Sequence, residues 1–150
     1  MKAIADEAVA MFLGGHNCAQ SVLACCGKGR GISRETAIRV AQAFGGGIGK
    51  TGNLCGALTG GLMVIGTHCA AIDAADTAAK ARAHKLAQAM MNEFARCNGS
   101  LLCRDLIGCD MRTSEGMQHF QKTDAMHKVC AKAVRTAVEI IETLLSEDNA

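Results

Sequence analysis

The stretch Phe44-Gly-Gly-Gly-Ile-Gly-Lys-Thr51, FGGGIGKT, decides between two folds. Read as a phosphate-binding loop, it would leave a β-strand, open a helix and make the chain α/β. That pattern, G-x-x-x-x-G-K-[ST], needs a glycine at position 44, where this chain has Phe44. The residues before it also argue against a strand. Over Ser33–Phe44, Ile38, Ala41 and Phe44 recur at helical spacing with charges between them. Ser33 is a good N-cap, and Glu35 lies in the first turn behind it. A helix therefore runs into the glycines, and the stretch reads as a glycine-rich turn between two helices.

The chain reads as helix on both sides of that turn. Pro, Trp and Tyr are absent, good helix formers abound, and no segment alternates as a strand would. The expected helices cover about 2–13, 17–26, 33–44, 53–71, 74–97, 100–107 and 117–146. Asn17, Asp73 and Ser100 are candidate N-caps, and Gly14-Gly15 and Asn98-Gly99 are breaks. The expectation is an all-α fold: one domain over 1–150, a bundle of about six to seven helices with a buried Gly/Ala-rich central helix. Glycines inside that helix, as in Gly56-Ala-Leu-Thr-Gly60, each cost about 1 kcal/mol relative to Ala. Close approach of another backbone or a bulky group would offset the cost.

Composition narrows the function. The 150 residues are 49% hydrophobic and 20% charged, as in a globular domain. A net charge of +2, spread without a basic block, and only four aromatics argue against nucleic-acid binding. Residues 51–72 carry no formal charge, but Asn53, His68, three threonines and the glycines make them too polar for a membrane span. The amphipathic N-terminus, with Lys2, Asp6 and Glu7, is unlike a signal peptide. Nine cysteines, an odd number, then fit a reducing, cytoplasmic setting better than a disulfide scaffold. In that setting they suggest metal or redox work.

Helical spacing says where the cysteines face. Cys18, Val22 and Cys25 share a face of the second helix, and Cys55, Thr59, Leu62, Gly66 and Cys69 form a stripe on the fourth. On the expected last helix Phe120, His127, Cys130, Val134, Ile141 and Leu145 form another. Cys18, Cys55 and Cys130 can thus meet in one interior from three helices. Cys103 and Cys109 come from the short segment CRDLIGCD. There is no C-x-x-C, which argues against a zinc ribbon, a thioredoxin-type dithiol and c-type haem attachment. Soft thiolates favour iron–sulfur, zinc or copper(I). Cys25, Cys26, Cys69 and Cys97 read as packing cysteines, and the methionines as core filler.

The blocks GGHNCAQSVL (Gly14–Leu23), FGGGIGKTGNLCGALTGGLMVIG (Phe44–Gly66) and CRDLIGCDMRTSEG (Cys103–Gly116), followed by Cys130, resemble the C_GCAxxG_C_C family in content and order. The family is described as redox-active. One departure is local: where the family label reads GCAxxG, this chain has Cys55-Gly-Ala-Leu-Thr-Gly60. The resemblance implies that Cys18, Cys55, Cys103 and Cys130 are the working cysteines, with Cys109 competing with Cys18 for a fourth ligand position. It also implies an iron–sulfur link, because a similar domain occurs in split-Soret cytochromes.

The glycines before Cys55 then have a use. A glycine loop and a helix N-terminus present N–H groups to an anion, here a thiolate or cluster sulfide. Gly47, Gly49, Lys50 and Gly56 are the candidate supports, with His127 a further one three residues before Cys130. The same geometry would lower the pKa of a free Cys55 thiol. The expected function is a redox protein with an iron–sulfur cluster, for electron transfer or redox sensing. The alternatives are a metal-free thiol oxidoreductase or sensor and a structural zinc domain. A homodimer, invited by the glycine-rich helix, and a separate redox partner protein are the expected partners.

Overall fold

The computed structural model describes residues 2–150. Eight α-helices form among them: α1 (Lys2–Leu13), α2 (Cys18–Cys26), α3 (Arg34–Val40), α4 (Gly56–Cys69), α5 (Thr77–Asn98), α6 (Cys103–Ile107), α7 (Ser114–Lys122) and α8 (Ala131–Asp148). No strand forms among the described residues; one isolated antiparallel bridge pairs Leu54 with Leu102. The fold is all-helical, as expected, but with eight helices rather than six or seven.

The extra helix comes from the C-terminal region, where one helix over 117–146 was expected. That span is divided. α7 ends at Lys122, Asp124 takes a left-handed φ of +53°, and Met126–Cys130 form a π-helical turn before α8 begins. Neither Gly nor Pro marks the break; Asp is one of the few residues that tolerates the left-handed region. Smaller shifts have equally local causes. α3 stops at Val40 and tightens into a 3₁₀ turn at Gln42–Phe44. The Asp73 carboxylate accepts from the Ala75 amide within a turn, so Asp76, accepting from Ala79, caps α5 instead. α6 starts only at Cys103, because the Ser100 hydroxyl accepts from Leu102 and donates to Asp105.

α4 packs on α2, α5 and α8, and its side chains Leu58, Val64 and Ile65 are buried. Each large apolar side chain so buried contributes about 1.5–3 kcal/mol. Gly60 and Gly61 are taken up inside the chain: Gly60 lies against Ala19 of α2 and Gly61 against Met90 of α5. Those two offer no surface to a second copy, whereas Gly66 of the same helix is exposed. A second, smaller apolar cluster gathers Cys103, Ile107 and Ala125 with Cys109, Met111, Phe120, Val129 and Cys130. Among the described residues no helix is long and apolar enough to cross a membrane.

Candidate functional site

Cys18 is positioned by the residue before it. The Asn17 side chain accepts from the Gln20 amide, and the Gln20 side chain accepts from the Asn17 amide, a reciprocal cap on α2. Both side chains also reach across the fold. Asn17 Nδ2 donates to the carbonyls of Ala41 and Gln42, and Gln20 Nε2 donates to Ile38 and to Gln42 Oε1. The start of α2 is thus tied to the end of α3, and Cys18 sits on its first turn.

The glycine stretch is a left-handed turn. Gly46, Gly47, Ile48, Gly49 and Lys50 all have φ between +60° and +69°. The turn closes with Gly49 N–H on Ala43 O at 2.8 Å and Lys50 N–H on Gly45 O at 3.1 Å. The Thr51 hydroxyl is spent inside it, donating to Gly47 and Ile48. No strand leads in and α4 begins five residues later, so the phosphate-loop geometry is absent. A short clasp then joins the turn to the segment before α6. Cys103 N–H donates to Asn53 O at 2.7 Å, Cys55 N–H to Leu101 O at 2.8 Å and Arg104 N–H to Gly52 O at 3.1 Å. The clasp is why α4 starts at Gly56 and not near residue 53, and it sets Cys55 beside Cys103. A Cβ on Gly47 would stand 2.6 Å from the Cys103 Cβ and 2.7 Å from the Asn53 nitrogen. Only glycine lets the turn lie so close to this thiol.

Cys130 closes the π-helical turn and arrives from the other side. That turn is bonded i→i+5, as in Ala131 N–H to Met126 O. Residues three apart no longer share a face there, so His127 does not follow Cys130 inward. The His127 ring is exposed and bonds Asp124 through Nδ1 at 2.8 Å.

Cys18, Cys55, Cys103 and Cys130 line a single cavity of about 140 Å³. Gly46, Gly47, Lys50 and Gly56 are also on its wall, which Met111, Phe120 and Met126 complete on the outer side. Gly49 and His127 are not on the wall. Cys109 lies just outside, half-buried against Cys103 and Ile107. Cys25, Cys26 and Cys69 are buried in the main core and Cys97 is half-buried elsewhere, all four away from the cavity.

The thiols repel one another as anions. Burial first, then the charges of Cys55 and Cys130, push the Cys103 thiol up to about 12. Burial pushes Cys55 up to about 11. Cys55 is the N-cap of α4; it makes no capping hydrogen bond of ordinary geometry, yet the Ala57 and Leu58 amides lie close enough to favour its thiolate. Burial outweighs them, so the lowered Cys55 pKa expected from the helix N-terminus is not what the site produces. The lowered thiol is Cys130, because Cys18 holds its thiolate by a sulfur–sulfur hydrogen bond; Cys18 is correspondingly raised, by that bond first and by burial second. As a pair they release one proton early and keep the other.

Several wall residues were not singled out from the sequence. Asn17 was read only as a cap. Met111 and Met126 were read as core filler, yet both line the cavity, and Met126 is 41% exposed. The pairing of Asn17 with Gln20 three residues on was the one available signal, since it marks a capping box.

The swapped order Cys55-Gly56 has a simple geometry. A Cβ built on Gly56 would lie 3.1 Å from the Cys18 Cβ. A side chain at either position is therefore aimed at the same corner of the cavity. No curated protein and no solved structure matches the chain. A family model described as "Putative redox-active protein (C_GCAxxG_C_C)" matches residues 16–144, a span that includes all four cavity cysteines, Cys109 and the left-handed turn. The chain belongs to the C_GCAxxG_C_C family of redox-active proteins.

Proposed function

We propose that the chain holds an iron–sulfur cluster through Cys18, Cys55, Cys103 and Cys130 and serves in electron transfer or redox sensing. The observation that carries this reading is the convergence of four thiols, from α2, the start of α4, the start of α6 and the π-helical turn, on one cavity whose wall is mostly apolar apart from Asn17 and Lys50. Four soft thiolates are the usual donor set of such clusters. Burial, and after it the repulsion between thiolates, raises Cys55 and Cys103, and a cationic iron core would offset both with release of their protons. Among the described residues no three Cys, His, Asp or Glu side chains gather around a single point as one metal ion requires.

When bound, such a cluster supplies one-electron chemistry. The chain's own residues do the rest. Phe120, Met111 and Met126 keep bulk water off the thiols, and the Ala57 and Leu58 amides stabilise charge on the Cys55 sulfur. Nine free thiols fit a reducing compartment, the cytoplasm. A homodimer and a separate redox partner protein belong to the same proposal.

The test is a visible spectrum of protein purified without oxygen, with iron and acid-labile sulfide measured on one sample. Broad absorbance with matching iron and sulfide, lost on Cys→Ser change at 18, 55, 103 or 130, is the expected result. Iron-free protein after anaerobic reconstitution would overturn the reading. A metal-free thiol function is then favoured by one specific feature: Cys18 and Cys130 share the cavity and shift each other's titration in opposite directions. Its signature would be a reversible disulfide between those two residues, read by differential alkylation.

A further inference from the structure

We propose that Lys50 makes the cysteine cavity selective for small anionic ligands and reagents, of the size and charge of a short carboxylate. The inference concerns access to the thiols and does not rest on the cluster.

Lys50 carries the only formal charge on the wall among the described residues. No carboxylate shares the wall, and no described residue forms an ion pair or hydrogen bond with its ammonium group. The rest of the wall is almost wholly carbon and sulfur, so the solvent-exposed Lys50 is its one source of formal charge, and its field is open to screening by salt. The N-terminus of the fourteen-residue α4 opens on the same space and adds potential of the same sign.

The backbone at this position points the same way. Lys50 stands at φ +61° in a turn where Gly46, Gly47 and Gly49 meet that demand without a side chain; Ile48 also meets it with one, but Ile48 is not on the cavity wall. Glycine would hold the same conformation with no clash, whereas lysine carries a steric cost. What the lysine adds for that cost is a cation on the wall that the four thiols share. The cavity, about 140 Å³, is close to the volume that holds a benzene-sized ligand, which limits the anion to a small one.

The test uses the full chain, reduced and treated with chelator, and two alkylating probes of similar size, iodoacetate and iodoacetamide. Both react with the thiolate, so the ratio of their rates cancels any change in thiol ionisation and isolates selection by charge. Rates are read residue by residue by peptide mass spectrometry, with Cys97, outside the cavity, as internal reference. At low salt, Lys50→Gln and Lys50→Gly lower the iodoacetate-to-iodoacetamide ratio at Cys55 and Cys103 by about fivefold, the effect of one unit charge a few ångströms away in a largely aqueous field. Lys50→Arg keeps the ratio, and about 1 M salt brings the unsubstituted chain down toward the Gln variant. The Gly variant relieves the backbone, so a misfolded chain does not explain its result. An unchanged ratio at the cavity cysteines in both variants overturns the proposal, as does an equal fall at Cys97. Iron content is measured separately: an iron-free chain with the fivefold effect sinks the cluster and keeps this inference, and an iron-loaded chain without it does the reverse.

Discussion

Gly60 of α4 rests directly on the backbone of Ala19 in α2: a Cβ at Gly60 would stand 2.7 Å from the Ala19 carbonyl oxygen and 3.1 Å from its Cα. Backbone atoms cannot rotate away, so Gly60→Ala must push the two helices apart. At Gly61 the obstacle is the end of the Met90 side chain, which has other rotamers. Gly60→Ala is expected to destabilise by about 1–3 kcal/mol, as overpacking does. Both variants regain about 1 kcal/mol of helix propensity, so Gly61→Ala is expected to cost less because the side-chain ends of Met90 and Ile141 can shift where the Ala19 backbone cannot. Urea unfolding of the two variants checks the order; equal losses would show that the contact with Ala19 is not special.

Cys103 and Cys109 lie six residues apart, but only Cys103 is on the cavity wall. If the cluster reading holds, Cys103→Ser removes most of the iron and Cys109→Ser leaves iron content close to that of the unsubstituted chain. Iron assay after anaerobic reconstitution decides it. Loss of iron in the Cys109 variant alone would move the fourth ligand outside the cavity.

Cys26 is fully buried, and burial first, then the nearby Glu142 carboxylate, pushes its thiol up from 9.0 to about 12. A raised pKa in the folded state adds stability that is complete below the unfolded value and is lost as pH rises toward the folded one. Melting temperature should therefore fall progressively between about pH 9 and pH 12. Cys26→Ala costs about 1 kcal/mol at neutral pH for the lost sulfur contacts and flattens the alkaline fall. Thermal melts of the metal-free chain across that range measure both.

Asp148, near the end of α8, accepts from Arg82 of α5 through Nε at 2.6 Å and through Nη2, and bonds His68 Nε2 of α4 at 3.1 Å. The Arg82 bond, reinforced by His68, holds its carboxyl below the usual range. A depressed carboxyl adds stability above its unfolded pKa, and that stability disappears as pH falls through the folded one. Asp148→Asn should loosen the last turns of α8 at neutral pH and remove part of the acid sensitivity below about pH 4. Hydrogen exchange over 140–148 is the measurement; unchanged protection would mean that apolar packing alone holds the helix end.

Much of this architecture is legible locally. Asn17 and Ser33 cap the helices they were expected to cap, because a side-chain oxygen three residues before a free amide is a short-range signal. The inward faces of Cys18 and Cys55 follow from their places at the starts of α2 and α4, and the glycine-rich turn was visible as a turn. What escaped depends on long-range contacts. Residues 53–55 look helical until their hydrogen bonds go to 101–104 instead. The division at Asp124 carries no Gly or Pro, and the π-helical turn after it rotates His127 away from Cys130 against the usual helical spacing. The expected cap of α5, Asp73, is instead spent on a turn, and Asp76 takes its place because its carboxylate reaches the Ala79 amide.

The Cys18–Cys130 contact also bears on how the protein is made. The two residues are separated by most of the chain, and the other two cavity cysteines lie between them. At ribosomal speeds of about 5–20 residues per second, several seconds pass between the synthesis of the first thiol and the last. Until Cys130 has left the ribosome and α8 has docked, there is no four-thiol cavity to load. If the cluster reading holds, a group delivered during synthesis would meet at most three of its donors, and loading would have to wait until the whole chain is made.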